Sequence, residues 1–151
     1  MTKQADTEIV ASFRFGSTSS ASRGYLHLAS RASGDWVSGY PRTSYFLQLT
    51  NDISNVQLWK SQSGTTTSLS SVGGMAAVTT AKQWVRFRIE GNLIRAKVWT
   101  DGNAEPANWE LSVTDNSITG TGLMQLKWIR GGSSTVANNV FIDDIVVTRL
   151  G

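Results

Sequence analysis

The chain has 151 residues, with 14 Lys and Arg against 11 Asp and Glu, a formal net charge of +3 and no cysteine. This length suits one domain with an ordinary hydrophobic core. The absence of cysteine excludes disulfides, thiolate metal sites and cysteine nucleophiles. The basic residues are spread along the chain and form no long run, so no dedicated nucleic-acid binding is expected.

The start of the chain has the composition of a polar tail. The first ten residues, MTKQADTEIV, contain no apolar segment of a secretory signal peptide. No stretch approaches the roughly 18 apolar residues that a membrane span requires. We therefore expect a single domain over residues 1–151, with residues 1–6 as an N-terminal tail. A protein of this kind would reach a virion or extracellular surface as part of a larger protein or particle.

The first part of the chain alternates apolar and polar residues with the period of two that is typical of half-buried strands. In residues 45–50, for example, Tyr45, Leu47 and Leu49 fall on one face of the predicted strand. The same pattern predicts further strands over residues 8–15, 25–31 and 55–61.

Segments rich in turn-forming residues lie between the strands and predict surface loops. The shorter ones are residues 16–23, 61–71 and 131–135. A longer predicted loop, residues 32–44, carries Trp36, Tyr40 and Pro41. Because loops on a rigid sheet often carry function, this is the loop for which we expect a task of its own.

The clearest strand pair lies in the second half of the chain. Residues 83–90 and 92–100 alternate strongly and are joined through Glu90-Gly91-Asn92, a short Gly-containing turn that predicts a β-hairpin. Further strands are predicted over residues 109–114, 123–129 and 140–148. Ten or so strands without a convincing helix predict an all-β fold, an antiparallel two-sheet β-sandwich or jelly roll.

The strand faces that point away from the predicted core carry polar and aromatic side chains. If the alternations of all strands are aligned, one outer surface holds the candidate ligand-binding residues Tyr25, His27, Gln57, Trp59, Arg86, Arg88, Arg95, Lys97 and Trp99, with Trp84, Gln125 and Lys127 beside them. The hairpin makes its four cations cross-strand neighbours, and facing like charges are unfavourable. Compensation could come from stacking on tryptophan, from ion pairs with Glu90, or from a bound ligand.

Aromatic rings flanked by hydrogen-bond donors allow two functional interpretations and one structural one. They suit a sugar, whose C–H faces stack on rings while its hydroxyls are bonded at the edge. They also suit a protein interface, where Trp, Tyr and Arg are enriched. In the structural interpretation, tryptophans close the edge of the core and the stems of Lys and Arg cover apolar surface.

Few residues could carry catalysis. His27 is the only histidine, no serine lies in a G-x-S-x-G turn, and one imidazole cannot build a zinc site. We expect His27 to be a partly exposed surface residue. The nearest carboxylates for glycoside hydrolysis are Asp101, Glu105 and Glu110, the first two in a predicted turn, where acids usually face solvent. We assign no catalytic residue.

Two adjacent acids, Asp143 and Asp144, interrupt the apolar last strand. Period two sends them to opposite faces, so one carboxylate should point inward and need a partner. A calcium ion completed by backbone carbonyls would provide one. A hydrogen-bonded Asp at a sheet edge is the equal alternative.

Four segments together resemble a known family. They are WVRFRIEGN at residues 84–92, IRAKVW at 94–99, EPxxW at 105–109 and FIDDI at 141–145. In this order they are similar to the concanavalin A-like (laminin G-like) jelly-roll modules of bacteriophage tail proteins and of accessory domains of bacterial secreted glycosidases. The resemblance covers residues 7–148.

The resemblance implies two stacked, curved antiparallel sheets with carbohydrate or protein recognition on the concave face or its rim. It also implies a structural calcium held by Asp144 and by backbone near residues 6–8. The E-x-D-x-E carboxylate strand of the related glucanases is missing from this chain, which argues against hydrolase activity.

The leading hypothesis from the sequence is a non-catalytic recognition module of a phage tail or similar surface assembly that binds a cell-surface glycan. The first alternative is a structural or decoration module that packs against a neighbouring virion or tail protein, or against copies of itself as a homo-oligomer. The second alternative is a glycosidase.

Overall fold

The computed structural model describes residues 5–151. Within them lie ten strands and one short 3-10 helix over Ser20–Ser22. The strands are β1 Thr7–Phe15, β2 Gly24–Val37, β3 Tyr40–Thr50, β4 Asn55–Gln62, β5 Thr65–Gly73, β6 Gln83–Glu90, β7 Leu93–Thr100, β8 Leu111–Thr114, β9 Leu123–Arg130 and β10 Val140–Arg149. No helix in these residues is long and apolar enough to cross a membrane.

The strands form two five-stranded antiparallel sheets that pack face to face. The first sheet has the order β10-β1-β6-β7-β8, and the second has the order β5-β4-β3-β2-β9. The predicted hairpin is present as β6 and β7, in which Arg86 pairs with Lys97 and Arg88 with Arg95. The predicted all-β, two-sheet antiparallel sandwich is confirmed.

The core lies between the sheets and is built from their inward-facing apolar side chains. Its largest fully buried members are Tyr45, Phe13, Phe15, Phe87, Ile9, Leu26, Leu28, Leu47, Leu49, Leu58, Ile89 and Ile94. Burying each such side chain contributes about 1.5–3 kcal/mol. Tyr45 also donates to Asp115 Oδ1 at 2.6 Å and accepts from the N–H of Ile118 at 3.1 Å. These bonds tie the segment after β8 to the core.

Two predicted loops are strands. The segment over residues 32–44 continues β2 and β3 to a two-residue turn at Ser38-Gly39, and residues 61–71 turn at Ser63-Gly64 into β5. The four turn residues have φ of 50°, 84°, 55° and 84°, the positive values of a type I′ hairpin turn. Bulges in β2 broke the alternation that would have predicted its extension. Polar, mostly exposed β5 has no apolar alternation to detect.

The prediction that one acid of Asp143 and Asp144 points inward is wrong. Between Val10 and Ser12 the pairing of β1 with β10 shifts by one residue, which is a β-bulge in β10. Asp144 lies in this bulge with φ of 50°. Both acids are exposed, because the extra residue interrupts the period of two on which the prediction rested.

One end of the sandwich is closed by a buried arginine. Arg31 is 3% exposed, and its guanidinium donates to the carbonyls of Ala5, Ile118 and Gly91 and to the carboxylate of Asp6. The predicted tail is therefore anchored at its last two residues. Residues 1–4 lie outside the described part of the chain.

Candidate binding surfaces

The predicted ligand-binding residues do not share one surface. Those of the second sheet, Tyr25, His27, Gln57 and Trp59, lie on its outer face, here called the aromatic face. Those of the first sheet, Arg86, Arg88, Arg95, Lys97 and Trp99, lie on its outer face, here called the basic face. The outer faces of two stacked sheets point in opposite directions, so the prediction of one continuous surface is wrong. Alternation shows which side of its own strand a residue takes, but not to which sheet the strand belongs.

The aromatic face carries a cluster of rings in mutual contact. Phe46 and Trp59 are cross-strand neighbours on β3 and β4, with centroids 6.4 Å apart and ring planes within 6° of parallel. Tyr40 stacks on Phe46 at 5.2 Å, and the imidazole of His27 lies 4.9 Å from Phe46. Phe46 is buried although it points away from the core. The cluster is thus a second, smaller packed region whose rim rings, Tyr40 and Trp59, remain partly exposed.

Two glutamines continue the cluster on the same face. Gln48 donates from Nε2 to Oε1 of Gln57 at 2.7 Å, and its own Oε1 lies 2.9 Å from Nε2 of His27. Since that oxygen can only accept, His27 carries its proton on Nε2. Because His27 bonds to Gln48 and Gln48 bonds to the oxygen of Gln57, the amide nitrogen of Gln57 is left at the surface as a hydrogen-bond donor.

His27 is buried, so the prediction of a partly exposed surface histidine is wrong. It is only 3% exposed. Burial, with a smaller contribution from the charge of Lys127, lowers its pKa to about 4, against the opposing hydrogen bond with Gln48. At neutral pH the imidazole is uncharged and belongs to the aromatic packing.

The cover over His27 is the tip of the β2–β3 hairpin, residues 36–41, which folds back onto the aromatic face. Lys127 on β9 holds it there. Its ammonium donates to the carbonyl of Gly39 and lies 5.0 Å from the ring centre of Trp36 and 5.1 Å from that of Tyr40. Burial lowers the pKa of Lys127. Residues 32–44, predicted to be a functional loop, are therefore the ends of two paired strands, and Lys127 contacts their tip.

The aromatic face has one open hollow. The space directly over His27 measures about 10 Å³, too little for more than one water molecule. Beside it, a hollow of about 90 Å³ is lined by Tyr40, Phe46, Gln48, Trp59 and Thr66. Of these two spaces, the second can admit part of a ligand, and its walls are three rings, one amide and one hydroxyl.

On the basic face, carboxylates compensate most of the positive charge. Arg86 Nη1 lies 2.7 Å from Glu8 Oε1, and its Nη2 donates to Glu105 Oε2 at 3.0 Å. Lys97 lies 2.7 Å from Glu105 Oε1 and donates to the carbonyl of Pro106. These contacts pair the charges of the groups with one another, while Oε2 of Glu8 and Nε of Arg86 are buried without a hydrogen-bond partner in residues 5–151.

The other cation pair of the basic face shares a single acid. Arg88 and Arg95 donate to the same oxygen of Glu90 at 2.9 and 3.2 Å. Arg95 and Lys97 also lie over the ring of Trp109, at 4.8 and 4.9 Å from its centre. Of the compensations considered from the sequence, the ion pair with Glu90 is present. The stacking ring for these cations is Trp109, whereas Trp84 and Trp99 stack on each other at 6.2 Å.

The carboxylates considered for hydrolysis are engaged in structural contacts. Asp101 accepts from the indole N–H of Trp84 at 2.6 Å. Burial acts to raise the pKa of Glu105, but hydrogen bonds and charges of Lys97 and Arg86 outweigh it and hold the pKa below its usual value. A general acid in glycoside hydrolysis requires the opposite shift. Glu110 is exposed beside the N–H of Val98.

The residues around Asp144 do not fit the predicted calcium site. Its carboxylate bonds to the ammonium of Lys82 at 2.8 Å and accepts from Ser12 at 2.9 Å. The cation already present would repel a calcium ion. Thr7, near the carbonyls expected to complete the site, pairs with Arg149 at the far end of β10. The hydrogen-bonded Asp at a sheet edge, the alternative considered from the sequence, matches this geometry. Residues 5–151 hold no group of three or more His, Cys, Asp or Glu that could bind a metal ion.

Sequence reasoning missed several residues that build the aromatic face. The sequence pattern puts Phe46 and Gln48 on the outer side of their strand, but neither they nor Lys127 are among the candidate ligand-binding residues. Trp36 and Tyr40 were noticed as part of a loop. The Ser38-Gly39 dipeptide was the available signal, because Gly at that position favours a tight hairpin that would extend both strands.

Comparison with known proteins identifies the fold. No protein-family model matches the sequence, and no curated protein sequence matches it. Among solved structures, the carbohydrate binding module CBM66 from Bacillus subtilis is 11% identical with a TM-score of 0.68, covering 97% of this chain and 76% of the module. The chain has a concanavalin A-like jelly-roll fold.

Two further solved structures have similar folds. The β-glucanase of Bacillus licheniformis is 10% identical with a TM-score of 0.67, covering 100% of this chain and 69% of the enzyme. The exoplasmic/lumenal domain of VIP36, in a form bound to Ca²⁺ and Man3GlcNAc, is 11% identical with a TM-score of 0.61, covering 99% of this chain and 70% of that domain. At this identity the likeness establishes the fold alone.

Proposed function

We propose that this protein is a non-catalytic recognition module that binds cell-surface carbohydrate through its aromatic face. The observation that carries the proposal is the hollow of about 90 Å³ between Tyr40, Phe46, Gln48, Trp59 and Thr66. Partly exposed rings there stand beside amides that are not engaged by charged groups.

The chemistry of this hollow suits a sugar ring. A pyranose presents an apolar C–H face, which packs against Trp59 or Tyr40, and hydroxyls at its edge. Gln48 and Gln57 form a fixed amide pair whose orientation is set by the buried imidazole of His27. Such preorganised donors bind hydroxyls with little loss of side-chain entropy.

The basic face is less suited to this task. Its cations form close contacts with Glu8, Glu90 and Glu105. A ligand would have to replace these contacts at a cost in free energy. The tryptophans of that face, Trp84 and Trp99, stack on each other.

The comparisons support carbohydrate recognition in a general way. A carbohydrate binding module and the VIP36 domain in its form bound to Ca²⁺ and Man3GlcNAc have a similar fold. We place the module in a phage tail or similar surface assembly, and so at a virion or extracellular surface, on the family resemblance of the four sequence segments. The absent glucanase carboxylate motif and the lowered pKa of Glu105 support a non-catalytic role.

The test compares two tryptophans on opposite faces. Trp59→Ala should weaken glycan binding about tenfold or more, because truncating a tryptophan that anchors a binding surface typically costs about 2 kcal/mol or more. Trp99→Ala removes the same ring from the basic face and should leave the affinity unchanged. Binding would be measured on a glycan array and by calorimetry with bacterial wall polysaccharide, hydrolysis by release of reducing ends.

Two results would overturn the proposal. If Trp99→Ala weakens binding while Trp59→Ala does not, the ligand occupies the basic face. If the protein cleaves any polysaccharide in the panel and Glu105→Gln or Glu110→Gln abolishes the cleavage, the protein is a glycosidase.

A second function, assembly with a protein, is favoured by one observation. β10 is an edge strand and exposes Phe141, Ile145, Val146 and Val147 by 42–57%. An exposed apolar edge of this kind favours contact with another chain. The aromatic face and this edge do not overlap, so one module could bind glycan and join an assembly.

A further inference from the structure

An open hollow lies away from both the aromatic cluster and the four paired cations of the basic face. It measures about 300 Å³ and is lined by Ser12, Phe13, Arg14, Lys82, Phe141, Ile142 and Asp143. It sits on the outer side of β1 and β10, on the sheet opposite the aromatic face. Its volume is at the lower end of the range typical of small-molecule sites.

Two charged side chains at this hollow, Arg14 and Asp143, form no ion pair within residues 5–151. The guanidinium of Arg14 lies 4.1 Å from the ring centre of Phe141 and makes no ion pair or hydrogen bond with residues 5–151. Asp143 accepts from the N–H of Asp144 and forms no salt bridge in the described part of the chain, and the ammonium of Lys82 at the same hollow is paired with Asp144 instead. The strand register places Arg14 opposite Phe141 and Ser12 opposite Asp143, with one residue pair between them, so the guanidinium and the carboxylate lie on the same face of the sheet. The guanidinium of Arg14 can donate hydrogen bonds to a ligand, and the carboxylate of Asp143 can accept them.

The rest of the rim is held in position. Asp144 bonds to both Lys82 and Ser12, and Lys82 also lies 5.0 Å from the ring centre of Trp84. This network links β10, β1 and the segment before β6. These contacts are present without a ligand, and both members of the ion pair are exposed.

Charge and polarity at the hollow select the class of ligand. The two cations, Arg14 and Lys82, balance the two carboxylates, Asp143 and Asp144. A charged ligand would gain from one sign and lose to the other, whereas a neutral polyol can bond to both. The half-exposed ring of Phe141, 45% exposed, supplies the apolar wall that a sugar ring requires.

We propose that the hollow between Arg14, Phe141 and Asp143 is a second saccharide-binding site, which takes one neutral sugar ring. The site lies on the opposite side of the sandwich from the aromatic face. The two sites together make the module bivalent, so that it can link two glycan chains or gain avidity from both.

The test follows backbone amide signals of the ¹⁵N-labelled protein during titration with glucose, galactose, mannose and N-acetylglucosamine, each added alone. At least one sugar should shift the amides of Arg14 and Asp143. Asp143→Asn and Arg14→Gln should each weaken that binding about tenfold, the effect of losing a charged hydrogen bond. The control Arg149→Gln removes an exposed cation from the same strand pair and should change nothing. The spectra also show whether each variant is folded.

Trp59→Ala separates this inference from the proposed function. It should leave the shifts at the hollow intact. If Trp59→Ala abolishes them as well, sugar binds only at the aromatic face and the second site does not exist. The inference is also overturned if none of the four sugars shifts these amides, or if the same shifts appear on raising the protein concentration without sugar, because a second copy then fills the hollow.

Discussion

At the residue scale, the single histidine links the aromatic face to pH. His27 is enclosed by Tyr40 and Phe46 and hydrogen-bonded to Gln48. The described contacts of its ring are therefore aromatic faces and an amide, with the ammonium of Lys127 nearby on β9. None of these groups stabilises an imidazolium by charge, which is why the neutral form is favoured.

We predict that stability rises with pH between about 4 and 6.5. In this window the unfolded chain binds a proton at His27, with its ordinary pKa of 6.5, while the folded chain, with a pKa of about 4, does not. Stability therefore falls as the pH drops through this window, by about 3 kcal/mol in total. His27→Gln, which keeps a hydrogen-bonding side chain without the titration, should flatten this slope. Urea unfolding at a series of pH values measures it, and an equal slope in both proteins would refute the assignment.

At the element scale, the β2–β3 tip depends on β9. The tip contains no apolar residue in the core between the sheets, and its only described cationic contact is Lys127. A partly exposed ammonium facing two ring faces and a carbonyl gains cation–π and hydrogen-bond energy. Lys127 therefore acts together with the stacking of Tyr40 on His27 and Phe46 to hold the tip over His27.

Lys127→Met tests this dependence. Methionine preserves most of the stem but removes the charge, so the tip should loosen with a loss of about 1 kcal/mol in stability. Hydrogen exchange at residues 36–41 should become faster, while exchange in β6 and β7 should be unaffected. Lys127→Arg retains a cation and should restore much of the protection. Unchanged exchange at the tip in Lys127→Met would show that the turn alone holds it.

At the scale of the whole molecule, the sandwich carries the aromatic face and the basic face on opposite sides, and a β10 edge whose Phe141 also lines the hollow of about 300 Å³. Only the edge combines unpaired backbone with exposed apolar side chains. Most natural edge strands are protected by charge or by a bulge. Here the bulge at Asp144 and its ion pair with Lys82 protect one half, and residues 145–147 form the open half.

If this half joins an assembly, Val146→Lys should disrupt it. Val146 is 57% exposed, so the added charge should leave the fold intact. We expect the unmodified protein to self-associate or to bind a neighbouring tail protein, and Val146→Lys to remain monomeric. Light scattering after size-exclusion chromatography measures the mass. A monomer at all concentrations, with no partner recovered, would argue against the assembly function.

The alternation of apolar and polar residues was enough to predict the all-β fold, most strands and the β6–β7 hairpin. It failed where its period is interrupted or absent. The bulge in β10 leaves both Asp143 and Asp144 exposed, and polar β5 offered no alternation at all. These are local departures that no periodic pattern can contain.

What the sequence determined by itself is the side of each strand on which a residue lies, because that depends only on backbone geometry. It therefore placed Trp59, Gln57 and the four hairpin cations on outer faces correctly. Only the tertiary structure decided which of them meet. The order of strands in each sheet put Trp59 and Arg88 on opposite sides of the molecule, and the folding back of the β2–β3 tip buried His27. Both depend on contacts between residues distant in sequence, which a local pattern does not encode.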